Sequence, residues 1–275
     1  SASSFSSSAH SSFASGRSLR RHAQRLRSVV STHPGERVYD CAWYPRMHSE
    51  AAHTCCFASA TRNHPVQLWD AYSGRLRASY RVLDYGGDAL NVLSLCMHPQ
   101  GSTLYSGLRE RIAAHDLTRP GRQLWDVSTT PRRPTSSRAP QPGVRGLLAS
   151  LHVDPRSALI AAGSYGGTVA LYSEQGHLVD LLAQPRGGVS QVYFAPDQNL
   201  LLCGMRKSDA IYAWDLRKYE QPLFSLHRPC ETNQRLTFAV RDSLCFSGST
   251  ADSAVHVYDL KRGGIEVAQF HGHTD

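Results

Sequence analysis

Arginine, amide and aromatic side chains recur together in short turns of this sequence. The turns are Arg62-Asn63-His64, Arg109-Glu110-Arg111, Tyr165-Gly166-Gly167, Arg206-Lys207-Ser208-Asp209 and Thr250-Ala251-Asp252, and Arg186 and the stretch Glu231-Thr232-Asn233-Gln234-Arg235 extend the set. Guanidinium groups hold phosphates and stack on flat rings, amides read base edges, and a tyrosine ring offers a stacking face. Gathered at one rim, these types suit single-stranded RNA. The candidate contacts are Arg62, Arg109, Arg111, Tyr165, Arg206, Lys207 and Arg235, with Asn233 and Gln234 as base readers. The same charges also read as solvated turn residues partly paired with Glu110, Asp209 and Asp252.

Chemistry of other kinds finds little to work with. The sequence holds no HExxH, GxSxG, GxxxxGK[ST] or GxGxxG string, and its 14 His are scattered, mostly at turns and strand ends. No catalytic residue, metal ligand, cofactor or small-molecule substrate is expected. The seven Cys contain no CxxC pair, so neither a disulfide framework nor a structural zinc site is indicated, and a reducing compartment fits best. Cys55 and Cys56 lie in a strand-like run and would point to opposite faces, as packing thiols rather than a chelating pair. The longest apolar runs are strand-sized, so no membrane span is expected.

Internal repetition accounts for the even spacing of the turns. Five units share one template: an alternating strand, a strand rich in small residues, and an alternating strand closed by an aromatic residue and Asp. The endings are Trp69-Asp70, Trp214-Asp215 and Tyr258-Asp259, with variants at His115-Asp116 and Tyr172-Ser173, spaced 46, 57, 42 and 44 residues apart. A four-stranded propeller blade takes roughly 40–45 residues. The long interval holds Pro131, Pro134, Pro140 and Pro142 and reads as an insertion over 126–145. The small residues, such as Ala162-Gly163-Ser164 and Cys203-Gly204, belong where strands crowd near a central channel. Each closing aromatic fills the gap between blades, and the Asp accepts backbone N–H groups in the next turn. An ordinary β-sandwich would not produce the fixed period. The expectation is an all-β WD-repeat propeller over 38–275, five blades of it evident, as a fragment of a seven-bladed ring. Trp69, Asp70, Asp116, Tyr172, Trp214, Asp215, Tyr258 and Asp259 are its blade anchors. In such a ring the turns between second and third strands share one end with the connections between blades. His271 and the residues after it read as the opening of another unit.

The net charge is +8, and its distribution matters more than its total. Residues 1–37 carry six Arg and one Glu, residues 119–145 carry six Arg and one Asp, and the remainder is close to neutral. Basic excess in a tail and a linker is the pattern of a polyanion contact, while Arg outnumbering Lys to this degree also fits a GC-rich coding sequence. Residues 1–37 read as a disordered Ser/Arg-rich tail. Leu19, Ala23, Leu26 and Val30 recur within it at helical spacing, as in a short basic helix or an organellar transit peptide.

At these positions the sequence also resembles a known family. The strings CAWYP (Cys41 to Pro45), ASATRNHPVQLWDAYSGRLRASYR (Ala58 to Arg81), TRPGR (Thr118 to Arg122), GSYGGTVALY (Gly163 to Tyr172), GMRKSDAIYAWDLR (Gly204 to Arg217), TNQR (Thr232 to Arg235) and SGSTADSAVHVYD (Ser247 to Asp259) are similar to the telomerase Cajal body protein family. The resemblance runs in order over some four-fifths of the chain. It implies a non-catalytic RNA-binding scaffold, usually seven-bladed, that recognises the CAB box of H/ACA-type small Cajal body RNAs and telomerase RNA. It further implies association with an H/ACA ribonucleoprotein core including dyskerin, and delivery to Cajal bodies in the nucleus. The family's first and last blades are not evident here, the Pro-rich insertion replaces a shorter connection, and the tail has no counterpart. A protein–protein adaptor such as a ubiquitin-ligase substrate receptor is the competing reading, with the rim gripping a peptide.

Overall fold

A computed structural model of the chain describes residues 28–84, 86–121, 123–130, 143–182, 187–195, 197, 199–218, 220–230 and 232–271. The described residues form five four-stranded antiparallel sheets with almost no helix. In each sheet the strands pair in chain order. The first sheet is β1 (Val38–Trp43), β2 (Cys56–Thr61), β3 (Val66–Asp70) and β4 (Leu76–Tyr80), and the second is β5 (Ser94–Met97), β6 (Thr103–Gly107), β7 (Arg111–Asp116) and β8 (Gln123–Ser128). The third comprises β9 (Leu148–Val153), β10 (Ile160–Ser164), β11 (Val169–Tyr172) and β12 (Leu178–Leu181). The fourth comprises β13 (Val189–Ala195), β14 (Leu200–Met205), β15 (Ala210–Asp215) and β16 (Phe224–His227), and the fifth β17 (Phe238–Arg241), β18 (Leu244–Gly248), β19 (Ala254–Asp259) and β20 (Ile265–His271). The first strands approach one another from sheet to sheet, β1 against β5, β5 against β9 and β9 against β13, so they line the inside of the arc.

Burial explains the template. The second strands β6, β10 and β14 are buried along their whole length, with both faces covered. A Cβ on Gly163 would stand 2.4 Å from Val189 Cγ1 of the next sheet, and one on Gly107 2.3 Å from Ser94 Oγ. The small residues are therefore required by side chains of the innermost strands, their own sheet's and the neighbour's, rather than by backbone crowding as the sequence suggested. The outer strands are exposed, β12 and β20 nearly throughout.

The apolar core is divided into four clusters, each between consecutive sheets. The closing aromatics fill these layers and look back onto the preceding sheet. Trp214 packs with Ala161, Val169 and Leu171, and Tyr172 with Ile112 and Ala114. Tyr258 packs with Leu202 and Ala213. His115 takes the same place in the second sheet, edge-on to Tyr80 with its Nε2 3.0 Å from the Arg81 carbonyl. The Asp residues after them act as turn acceptors: Asp70 for the Tyr72 and Ser73 N–H groups, Asp116 for Thr118, Asp215 for Arg217 and Asp259 for Lys261. Arg77 and Arg217 add ion pairs at Asp70 and Asp215, and hydrogen bonds from Arg217 hold the Asp215 carboxyl down at about 2.

Three expectations need adjustment. Within the segment read as a short basic helix, residues 28–30 are irregular and the rest lies outside the described residues, as do residues 1–27 of the tail. The 126–145 insertion is closed at its base: residues 126–128 belong to β8, and Thr129 and Val144 exchange hydrogen bonds at 2.7 and 2.9 Å. These bonds bring the two ends of the insertion together, and its Pro-rich residues lie outside the described ones. His271 ends the outer strand of the fifth sheet instead of opening another unit, and residues 272–275 lie outside the described residues.

Candidate nucleic-acid interface

The turns between second and third strands do meet the connections between sheets at one end of the arc. Their backbones are bonded together: Arg62 N–H donates to Arg37 O, Glu110 N–H to Gly146 O, Tyr165 N–H to Leu147 O, Arg206 N–H to Gly188 O and Lys207 N–H to Thr232 O. Asn63, Glu110 and Lys207 hold these turns with φ near +50°, uncommon outside glycine, and the N–H of each is bonded to a neighbouring segment.

A trough runs along this mouth in three joined sections. The first, about 180 Å³, is lined by Tyr165, Gly187, Gly188, Arg206, Lys207 and Asn233. The second, about 510 Å³, shares Tyr165, Arg206 and Asn233 with it and adds Arg37, Tyr39, Leu147 and Arg235 among its walls. The third, about 390 Å³, shares Tyr39, Leu93 and Leu147 with the second and reaches Asn91 and Arg109. The trough's lining mixes apolar and aromatic side chains, Tyr39, Leu93, Leu147 and Tyr165 among them, with the basic Arg37, Arg109, Arg206, Lys207 and Arg235, a combination that suits flat rings and phosphates.

Of the nine residues singled out from sequence, Arg109, Tyr165, Arg206, Lys207, Asn233 and Arg235 line the trough. Arg62 stands beside it on the turn bonded to Arg37, next to Asn63, whose N–H donates to Asn91 Oδ1 at 2.6 Å. Gln234 is exposed on the same segment as Asn233 but lines none of the three sections. Arg111 is turned away, paired to Asp126 at 2.9 Å and reaching the Leu83 carbonyl. Arg235 is committed as well: it meets Asp40 at 3.0 Å, and Asp40 also accepts the Leu95 N–H. Arg186 and Glu231 lie outside the described residues.

The acids expected to neutralise the turns are occupied elsewhere. Glu110 accepts the Gly146 N–H, Asp209 the Cys230 N–H, and Asp252 meets His256 and Gln269. Arg62, Arg109 and Lys207 form no ion pair with a described residue, so their charges are not committed to a partner within 4 Å. Arg206 sits over the Tyr165 ring, 5.1 Å from its centroid, and donates to Asn233 O at 2.6 Å and Val189 O at 3.4 Å. Burial there, with Arg235 close by, holds its pKa below the usual arginine range. Arg37, Tyr39 and Asn91 went unnoticed in the sequence. Arg37 and Asn91 lie on connections that precede first strands, which share the rim with the turns, whereas Tyr39 lies within β1, where no turn residue marks it. Among the described residues no cluster of three His, Cys, Asp or Glu could hold a metal ion. No described helix is long and apolar enough to cross a membrane.

Five four-stranded antiparallel sheets in chain order, with these anchors, define a WD-type β-propeller architecture. A solved structure of U3-55K matches it with a TM-score of 0.61 at 15% identity, over 86% of this chain and 64% of that one. The chain is homologous to telomerase Cajal body protein 1. It is 37% identical to the Bos taurus protein over 235 residues, 84% of this chain, and 36% identical to the Homo sapiens protein over 233. The Drosophila melanogaster homolog is 31% identical over 253 residues. The chain spans about two-fifths of the length of these curated relatives, the alignments taking in 41–44% of each. No protein-family profile matches it.

Proposed function

We propose that this chain is a non-catalytic scaffold that binds RNA along the trough at its rim. On this reading the ligand is an H/ACA-type small Cajal body RNA bearing a CAB box, or telomerase RNA. The scaffold would direct a dyskerin-containing ribonucleoprotein to Cajal bodies in the nucleus. The observation that carries the reading is the convergence of Arg109, Lys207 and Arg206 with Tyr165 and Asn233 on one groove, these three basic side chains forming no ion pair with a described acid. The names of the homologues support the connection to telomerase and Cajal bodies. Crosslinking in cells followed by sequencing of the bound RNA tests it: H/ACA-type RNAs are expected to be enriched. Recovery of protein partners that survive nuclease and high salt, with no RNA, would replace this reading with that of a peptide-binding adaptor.

A further inference from the structure

Arg206 was expected to contact phosphate directly, yet its guanidinium is already spoken for on three sides. It lies over Tyr165 of the third sheet, donates to Val189 O at the entry to the fourth, and donates to Asn233 O on the segment entering the fifth. A planar fork used this way holds other groups in place. What it holds is the Tyr165 ring and the backbone of the Asn233 segment, both of which line the 180 Å³ cleft, a volume well below the roughly 300–1,000 Å³ of a drug-sized site and suited to one small flat group. Tyr165 remains 44% exposed. The glycines facing it leave no room for side chains: a Cβ on Gly188 would fall 2.4 Å from Tyr165 O, and Gly187, at φ +109°, would place one 2.8 Å from Arg206 O. Lys207 is exposed at the edge of the cleft.

We infer that this cleft is a one-base stacking site. Tyr165 receives a single unpaired nucleobase, the Asn233 side chain meets its edge, and Lys207 holds the adjoining phosphate. Arg206 is a positioning residue that acts through Tyr165 and Asn233. The inference rests on the RNA-binding reading above and gives that site a defined unit of recognition.

The test compares two probes by fluorescence anisotropy: a labelled octamer of uridine and an octamer of the same ribose-phosphate chain without bases. Stacking of one base should make wild type bind the uridine chain about 5- to 150-fold more tightly than the abasic chain. Tyr165→Ala should remove most of that preference and leave abasic binding unchanged. Arg206→Lys, which keeps the charge but loses the fork, should do the same with an unaltered salt slope. Lys207→Ala should weaken both probes and make the log–log salt slope shallower by about 0.7. Circular dichroism melting checks that each variant is folded, and truncation of the half-exposed Tyr165 leaves the core intact. Equal wild-type affinity for the two probes overturns the base site while RNA binding stands. Failure of both probes to bind overturns the RNA reading itself.

Discussion

Trp214 offers a direct test of the blade register, on which the placement of every rim residue depends. The side chain is fully buried in the layer between the third and fourth sheets, against Ala161, Val169, Leu171 and Phe194. Trp214→Ala removes a ring system from a close-packed site, and such truncations cost about 3–5 kcal/mol. One feature lowers the expected figure. The indole Nε1 has no hydrogen-bond partner among the described residues, so the native state already bears a desolvation cost of order 1 kcal/mol that the truncation relieves. A loss of about 3 kcal/mol is expected, a large part of the roughly 5–15 kcal/mol that separates folded from unfolded chains. Trp214→Phe, which discards the orphaned N–H and keeps most of the ring, should cost no more than about half as much. Urea unfolding followed by circular dichroism gives both values from the midpoint shift, with Tyr72→Ala at an exposed site as the reference. A loss below about 1 kcal/mol for Trp214→Ala would mean that the aromatic does not lie between sheets and that the register is wrong.

Stability should also respond to pH through His152, whose Nδ1 accepts the Phe194 N–H and whose burial lowers its pKa to about 4. The unfolded chain binds this proton near pH 6.5, so the contribution is complete above 6.5 and is lost as pH falls from there toward 4; unfolding midpoints at pH 5 should correspond to about 1–2 kcal/mol less stability than at pH 8, with His152→Gln flattening the dependence. Gly163→Ala should destabilise by about 1–3 kcal/mol because its Cβ meets Val189, whereas Gly248→Ala, with nothing within 4 Å, should be near neutral by the same urea assay. Binding of single-stranded RNA should weaken with salt at a slope of about −2 to −3 for three or four phosphate contacts, unchanged by Arg217→Gln on the opposite end of the sheets; an equal effect of that substitution and of Arg109→Ala would remove the rim from consideration. Deleting residues 1–27 should weaken all RNAs to a similar degree in filter binding, since a basic tail reads charge and not bases, and selective loss of one RNA would make the tail a reader.

Much of the fold was legible because the repeat is physical. A period-2 strand closed by an aromatic residue and Asp marks the place where one sheet packs on the previous one, and each such ending lies at the end of a third strand. Even the irregular His115 was in register, its ring taking the aromatic position. The reason for the small second-strand residues was not legible, because Val189 and Ser94, which exclude a side chain at Gly163 and Gly107, stand 26 and 13 residues away from them. At the rim the loops were found but not the fates of their side chains. Arg111 and Arg206 look alike in a turn, and only the position of Asp126 on β8 separates a paired charge from one that holds a cleft.

The same distances explain why the candidate site belongs to the arc and to no single loop. Arg235 enters the trough before the fifth sheet and finds its carboxylate in β1, 195 residues earlier, and that carboxylate is fixed by the Leu95 N–H of the second sheet. Arg206 joins the third, fourth and fifth sheets in the same way. Each contact is weak alone: the Arg235–Asp40 pair is partly solvated and pairs of that kind contribute on the order of 1 kcal/mol or less. Their effect is geometric. They fix the spacing between rim segments carried by sheets whose own rigidity comes from the buried aromatic layers. A groove built this way presents its ring, amide and charges in one arrangement before any ligand arrives, which lowers the ordering cost of binding a flexible single strand.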